Sequence, residues 1–196
     1  MSLLNAWVSP DRALVAVDTD GITPAGEHFE ISKMLPLVHA RTLFAGRGDR
    51  KFLHDLVKCY FLAATAVTYD DIVDHLPVAI AHTLAAFKQE GAAPFEYQFA
   101  VVGWSPAQQR VCGQWITGSS SDDGYDCEEL GQRVAPWNPP EMGVPVMPSS
   151  VDAMTQIAKV QAEWLRSQPN SAGGGRLIVA EVTKDRMTIE SVAEVR

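Results

Sequence analysis

The sequence predicts a mixed α/β fold in which two antiparallel sheets stack face to face and helices cover their outer faces, a four-layer αββα sandwich. Three observations lead there. Short β-prone runs come in pairs split by turn residues, two such pairs are followed directly by two helical periods, and the hairpin-then-helix order then recurs before a closing hairpin. A hairpin cannot bury two faces by itself, so hairpins interleaved with helices call for sheet on sheet with helices outside.

The first pair is 3–8 and 13–17, split by Ser9-Pro10-Asp11-Arg12, where Pro at the second position presets a type I turn. A second pair is expected from 29–33 and 41–45, after the turn region 21–27 and before Gly46-Arg47-Gly48-Asp49. From Asp49 the period becomes helical, with Phe52, Leu53, Leu56, Val57, Tyr60, Phe61 and Ala64 on one stripe. A second helix starts near Thr68, whose Thr-Tyr-Asp-Asp resembles a capping box, and runs through Ile72, Leu76, Ile80, Leu84 and Phe87 to Gly91. Residues 97–103 and 110–117 read as a third hairpin, and 149–167 as a capped helix with Met154, Ile157, Ala158, Gln161, Trp164 and Leu165 on one face. Gly173-Gly174-Gly175 releases the chain into a final hairpin, 176–183 and 187–192.

The segment 118–148 fits neither period. It carries Ser119-Ser120-Ser121-Asp122-Asp123-Gly124 and five prolines, Pro136, Pro139, Pro140, Pro145 and Pro148, and is too long for a passive connection. A surface loop shaping a site and a subunit contact are both open to it. With 196 residues and 46% apolar content, the chain supports one full core, and a single domain spanning 1–196 with that irregular insertion is expected.

Composition narrows the function classes. The formal charge is −8 and no Lys/Arg run is dense enough to neutralise several phosphates, so nucleic acid is not an expected partner. The longest uncharged apolar stretch, 59–67, falls well short of the roughly 20 residues of a membrane span, and no basic-then-apolar leader opens the chain. A cytoplasmic protein is expected. Cys59, Cys112 and Cys127 are an odd number at wide spacing without C-x-x-C, which argues against a disulfide framework and a zinc knuckle. His75 and His82 share a helix with Asp70, Asp71 and Asp74, yet two turns separate them by about 10.5 Å, too far for one zinc ion. Trp104, Trp115, Trp137 and Trp164 read as core or interface anchors, and no metal or organic cofactor is implied.

The chemistry concentrates in the first 33 residues. Ser2 stands directly behind Met1, and a small second residue favours removal of the methionine, leaving a hydroxyl and a free α-amine on one residue. A serine hydroxyl needs a base poised near neutrality, and an α-amine, with a reference pKa of about 7.7–8.0, supplies one. A buried lysine nearby would keep that amine neutral by like-charge repulsion, and a buried aspartate would offset the lysine and fix its position.

The opening Ser-Leu-Leu-Asn-Ala-Trp-Val-Ser-Pro-Asp-Arg-Ala-Leu-Val-Ala-Val-Asp-Thr resembles the first hairpin of proteasome β-subunit-like N-terminal-nucleophile (Ntn) hydrolases, a group with bacterial and phage-encoded single-domain members. The sixteen residues from Ser2 to Asp18 match the family spacing, and Lys33 falls one residue short of its expected place, a shift the intervening turn absorbs. Phe44-Ala45-Gly46-Arg47-Gly48-Asp49 resembles the turn whose backbone N–H meets the oxyanion, with Gly46, Arg47 and Gly48 all candidates for that donor. Ser replaces the family's usual Thr, which keeps hydroxyl and amine. Where the family has a Gly-Ser-Gly-Ser-like turn before a helix, this chain has 118–148, so Ser119, Ser120 and Ser121 stand unranked as the auxiliary serine.

The resemblance implies a homo-oligomeric hydrolase of an amide or peptide bond, with Ser2 as nucleophile and Asp18 and Lys33 tuning its amine. The alternative is a non-catalytic, proteasome-like scaffold subunit, because fold alone does not separate the two.

Overall fold

Twelve strands and three helices alternate as hairpins and helices in a computed structural model that describes residues 2–23, 25–62, 66–122, 124–136, 147–168 and 173–195. Met1, Ala64, Asp123, Trp137, Pro139, Pro140, Pro145 and the side chain of Phe61 lie outside the described residues. The fold is mixed α/β, and every strand pairing among the described residues is antiparallel.

β1 (Leu4–Val8) and β2 (Arg12–Asp18) form the expected first hairpin, closed by the Ser9 N–H donating to the Arg12 carbonyl at 2.9 Å. Together with β10 (Gln132–Ala135), β11 (Arg176–Thr183) and β12 (Met187–Glu194) they make one sheet in the order β10-β1-β2-β11-β12. The second sheet runs β5-β6-β7-β8-β9, from β5 (Met34–Leu37), β6 (Thr42–Gly48), β7 (Glu96–Ser105), β8 (Arg110–Ser119) and β9 (Tyr125–Glu129).

The expected second hairpin is corrected. Its first strand, 29–33, does not pair with β6: β4 (His28–Glu30) pairs instead with β3 (Asp20–Ile22) in a separate two-stranded ribbon, and β6 takes β5. Two physical reasons account for this. Gly21 lies opposite Phe29, and a Cβ there would stand 2.7 Å from the Phe29 ring, so only glycine admits the ring. Pro36 argues against a strand in a sheet interior, but β5 is an edge strand, where a missing N–H costs no ladder bond.

The 118–148 segment is corrected too, since it is not irregular throughout. It holds β9 at the edge of one sheet and β10 at the edge of the other. β9 reads Tyr-Asp-Cys-Glu-Glu with four exposed residues, an acidic edge that hides the alternation of a half-buried strand while blunting edge-to-edge association.

The helices follow their caps. Asp49 accepts from the Phe52 N–H at 2.9 Å at the start of α1 (Arg50–Leu62). Thr68 and Asp71 close a complete capping box on α2 (Tyr69–Gln89), and the Ser150 hydroxyl accepts from the Ala153 N–H at 3.1 Å on α3 (Val151–Arg166).

Three apolar clusters hold these elements together. α1 and α2 lay Phe52, Leu56, Ile72, Leu76 and Ile80 against Phe44, Tyr97, Phe99 and Ile116 of the second sheet. Leu4, Ala6, Val15 and Val17 of the first sheet meet Leu43, Ala45, Ala100, Val102 and Trp115 of the second. Met154, Ala158, Ala162 and Leu165 of α3 pack on Leu14, Ala16, Leu177 and Val179. Trp115 is a core anchor, and Trp104 and Trp164 pack half-buried against their clusters. Among the described residues no helix is long and apolar enough to cross a membrane, and the three cysteines are free.

Candidate functional site

Asp18 ends β2 and is fully buried, and the register that sets Leu4 opposite Val17 brings the start of β1 alongside it. The Leu3 N–H donates to Asp18 Oδ1 at 2.9 Å, and Lys33 Nζ donates to the same oxygen at 2.8 Å. The Gly174 N–H reaches Oδ2 at 3.4 Å. Lys33 stands one residue before β5, its side chain 10% exposed, and Nζ also donates to the Asp20 carbonyl. Ser2, itself buried, is covalently next to the amide that Asp18 holds, so the ion pair lies immediately behind the residue that carries the hydroxyl.

Burial dominates the electrostatics of this pair. It pushes the Asp18 carboxyl up from its ordinary value of 3.8, against the pull of Lys33 and the two amides. The Lys33 ammonium is pushed down from 10.5 by the same burial, against Asp18 and Asp20, with Arg47 adding like-charge repulsion. Each partner is therefore closer to neutrality than it would be in water.

The Gly46–Gly48 stretch is the end of β6, and its geometry separates the three donor candidates. The Gly46 N–H donates to the Lys33 carbonyl at 3.0 Å, toward β5. Successive N–H groups in a strand point to opposite sides, so the Arg47 N–H faces β7, where Arg47 stands opposite Gln98. The Gly48 N–H then points to the β5 side again, beyond the residue where β5 begins. Gly48 is also a position that requires glycine: its φ is +106°, and a Cβ would lie 2.4 Å from the Glu96 carbonyl oxygen.

Ser2, Lys33, Gly46, Arg47 and Gly48 border one cavity of about 1030 Å³. Phe29, Ile31, Phe52, Leu53 and Phe99 supply apolar wall, and Asp20, Arg47, His54 and Gln98 supply polar groups, the mixture expected of a ligand cleft. A Cβ at Gly46 would stand 2.8 Å from the Leu53 side chain, so glycine there leaves room between β6 and α1.

Five of the sequence candidates, Ser2, Lys33, Gly46, Arg47 and Gly48, thus share one cleft, and Asp18 lies directly behind it. Ser119, Ser120 and Ser121 do not border this cavity. They close a turn at the end of β8, where the Ser120 hydroxyl accepts from the Phe95 N–H at 2.9 Å and Ser119 Oγ accepts from the Ser121 N–H at 3.2 Å. Sequence reasoning missed the Asp20 carbonyl, the Gly174 amide, the Arg47 side chain and His54. Asp20 was visible two residues after Asp18, whereas Gly174 comes from 156 residues away and left no local sign.

His75 lies on the exposed side of α2 with its Nδ1 at 2.7 Å from the Asp71 carbonyl oxygen. No group of three or more His, Cys, Asp or Glu among the described residues could hold a metal ion. No family model and no curated protein matches the chain.

Proposed function

We propose that this chain is an Ntn hydrolase of the proteasome-like class that cleaves an amide or peptide bond, with Ser2 as the nucleophile once Met1 is removed. The observation that carries the reading is the buried Asp18–Lys33 pair, tied by the Leu3 amide to the residue next to Ser2 and set at a cleft that Ser2 borders. A buried pair of charges costs desolvation, and sites that need tuned protonation are where such a cost is retained. The three stacked apolar clusters favour a four-layer αββα sandwich in one domain, the architecture the resemblance implies.

In the reaction, Ser2 Oγ bonds to the scissile carbonyl carbon while its proton passes to the α-amine of the same residue. Lys33 keeps that amine neutral by like-charge repulsion, and Asp18 fixes Lys33. The Gly48 N–H stabilises the oxyanion of the tetrahedral intermediate, a contribution usually large in acyl transfer. As the C–N bond breaks, the proton moves from the α-amine to the departing nitrogen. Water then adds to the acyl-ester, its proton returns to Oγ through the amine, and the carboxylate product leaves. No step calls on a metal or organic cofactor.

The reading extends to a cytoplasmic homo-oligomer. Val78, 70% exposed on α2, belongs to the outer helical face that it assigns to subunit contacts. Sedimentation showing only monomer at micromolar concentration would count against that assembly.

The test is the intact mass of protein made in its own host, combined with labelling by a hydroxyl-directed covalent probe. A chain starting at Ser2, labelled on Ser2 and unlabelled after Ser2→Ala, is the expected result. Homogeneous retention of Met1 would sink the catalytic reading and leave the scaffold alternative, under which Ser2→Ala is silent.

A further inference from the structure

The cleft contains a cation that the reaction above leaves unused. Leu43 and Ala45 of β6 face the layer between the sheets, so alternation turns the Arg47 side chain to that same face at its open end, beside Asp18 and Lys33. Arg47 is half-buried and borders the cavity. Its guanidinium has neither a hydrogen bond nor an ion pair among the described residues.

The other charges around the cleft are engaged or solvated. Lys33 is held by Asp18, Lys51 by Asp55 and Glu90, and Lys58 by Asp55, while Arg50 is exposed. Among the acids, the Asp20 carboxylate accepts from His28, and Asp18 has its oxygens taken by Lys33, Leu3 and Gly174. Glu96 is exposed and lies near Arg47 without pairing with it. Burial holds the Arg47 guanidinium below its ordinary range, with Asp18 and Glu96 opposing.

We infer that Arg47 is the receptor for a substrate carboxylate placed next to the bond that Ser2 attacks. A guanidinium presents a planar fork of donors that fits two carboxylate oxygens at once, and a half-buried one gains more from that partner than a solvated one. The carboxylate can come from an acidic side chain or from the free end of a peptide. The site therefore selects acidic or C-terminal segments, a specificity that rests on the hydrolase reading for its chemistry but on Arg47 alone for its binding.

The experiment separates the two by measuring binding without turnover. Ser2→Ala protein is titrated calorimetrically with three short acetylated peptides: one with an internal Glu and an amidated end, its Gln counterpart, and the Gln peptide with a free C-terminal carboxylate. One or both carboxylate peptides should bind about tenfold more tightly than the Gln amide, the scale of a charge-assisted hydrogen-bonded contact. Whichever gains identifies the source. Arg47→Gln, added to the same background, should reduce the gain to less than about twofold and leave the Gln amide unchanged, with Arg47→Lys in between.

Equal affinities for all three peptides, no binding of any, or a gain that survives Arg47→Gln would overturn the inference. Should Arg47→Gln fail to fold, Glu96→Gln serves instead: removing the nearby acid should tighten the carboxylate peptide about twofold and leave the Gln amide alone, and no change there counts equally against it. Labelling of Ser2 in the wild-type chain decides the hydrolase reading separately.

Discussion

Two buried polar clusters brace the first strand, and they are built on opposite principles. At Asn5, Nδ2 donates to Gln161 Oε1 at 2.7 Å, while Gln161 Nε2 donates to Asn5 Oδ1 at 3.1 Å and to the Pro136 carbonyl at 2.9 Å. The Ala135 N–H also reaches Asn5 Oδ1 at 3.3 Å, and both amide side chains are fully buried. This cluster is neutral and closed, and it ties β1 to α3 and β10. At Leu3, two residues earlier, the backbone N–H meets a charged cluster instead, Asp18 with Lys33, and Lys33 borders a cavity. A neutral network with its partners in place costs little and fixes register, whereas a buried ion pair retains a desolvation cost that the proposed site would explain. On the proposed reading, the difference separates what holds the strand from what the strand presents.

Removing one charge of the Asp18–Lys33 pair does the most damage. Lys33→Met should destabilise the protein by about 3–5 kcal/mol at pH 7, because Asp18 is left with two amides and no counter-charge. Urea denaturation measures this. The deficit should shrink at pH 4, where a carboxyl already pushed upward takes a proton readily. Asp18→Asn combined with Lys33→Met should recover most of the loss, since replacing a buried pair by neutral groups is commonly neutral or stabilising by about 1–4 kcal/mol. A double variant as unstable as the single one would show that the pair is held for stability rather than for a site.

The pH dependence of that double variant against the wild type sharpens the point. A carboxyl raised above 3.8 contributes stability below that pH and loses it as pH rises through the folded value. An ammonium lowered below 10.5 contributes stability above that pH and loses it as pH falls through its folded value. The pair is thus costliest between the two, so the double variant should gain on the wild type from pH 4 toward neutrality, with the gap closing again toward 10.5. A flat difference across that window would mean that neither group is shifted by burial.

Next in size is the neutral cluster. Gln161→Leu strands Asn5 Nδ2 and the Pro136 carbonyl and should cost about 1–3 kcal/mol, the price of leaving buried polar groups unpaired. Because no group titrates there, the loss should be the same at pH 5 and pH 8, and Ser2 labelling in the folded variant should match the wild type. A loss that varied with pH would show the two clusters to be coupled through β1.

The charged cluster was more legible in the sequence than the neutral one, for a physical reason. Asp18 follows directly from the hairpin that Ser9-Pro10-Asp11-Arg12 closes, and Lys33 lies only fifteen residues further on. The resemblance, more than local turn chemistry, named Lys33 as the partner, since the residues alone place 29–33 in a hairpin with 41–45 that does not form. Asn5 and Gln161 are 156 residues apart, and Gln161 read simply as one position on an amphipathic face of α3. The α2 start was legible from Thr68 because a cap is a local hydrogen bond, and the capped helix expected over 149–167 takes Ser150 as its cap. Strand partners were not, since alternation says which face a residue takes and not which strand it meets: Phe29 pairs with Gly21, and the edge position of β5 admits Pro36. The three serines 119–121 stood as unranked candidates for the auxiliary serine, and their bonds to Phe95 and to one another depend on a β7–β8 register invisible in composition.

The smallest expected effect sets the baseline for all of these. His75 is polar and sits in a sequence crowded with Asp70, Asp71 and Asp74, so it invites a functional role on composition alone. Its ring is exposed and meets one carbonyl, that of Asp71 at 2.7 Å. Water replaces such a partner at almost no cost, so His75→Ala should change stability by no more than about 0.5 kcal/mol, the range of an ordinary surface substitution. It should leave Ser2 labelling and the carboxylate preference of the cleft where they are. A larger loss, or altered labelling, would mean that the outer face of α2 communicates with the cleft, and polar groups beyond the two buried clusters would then have to enter the account of the site.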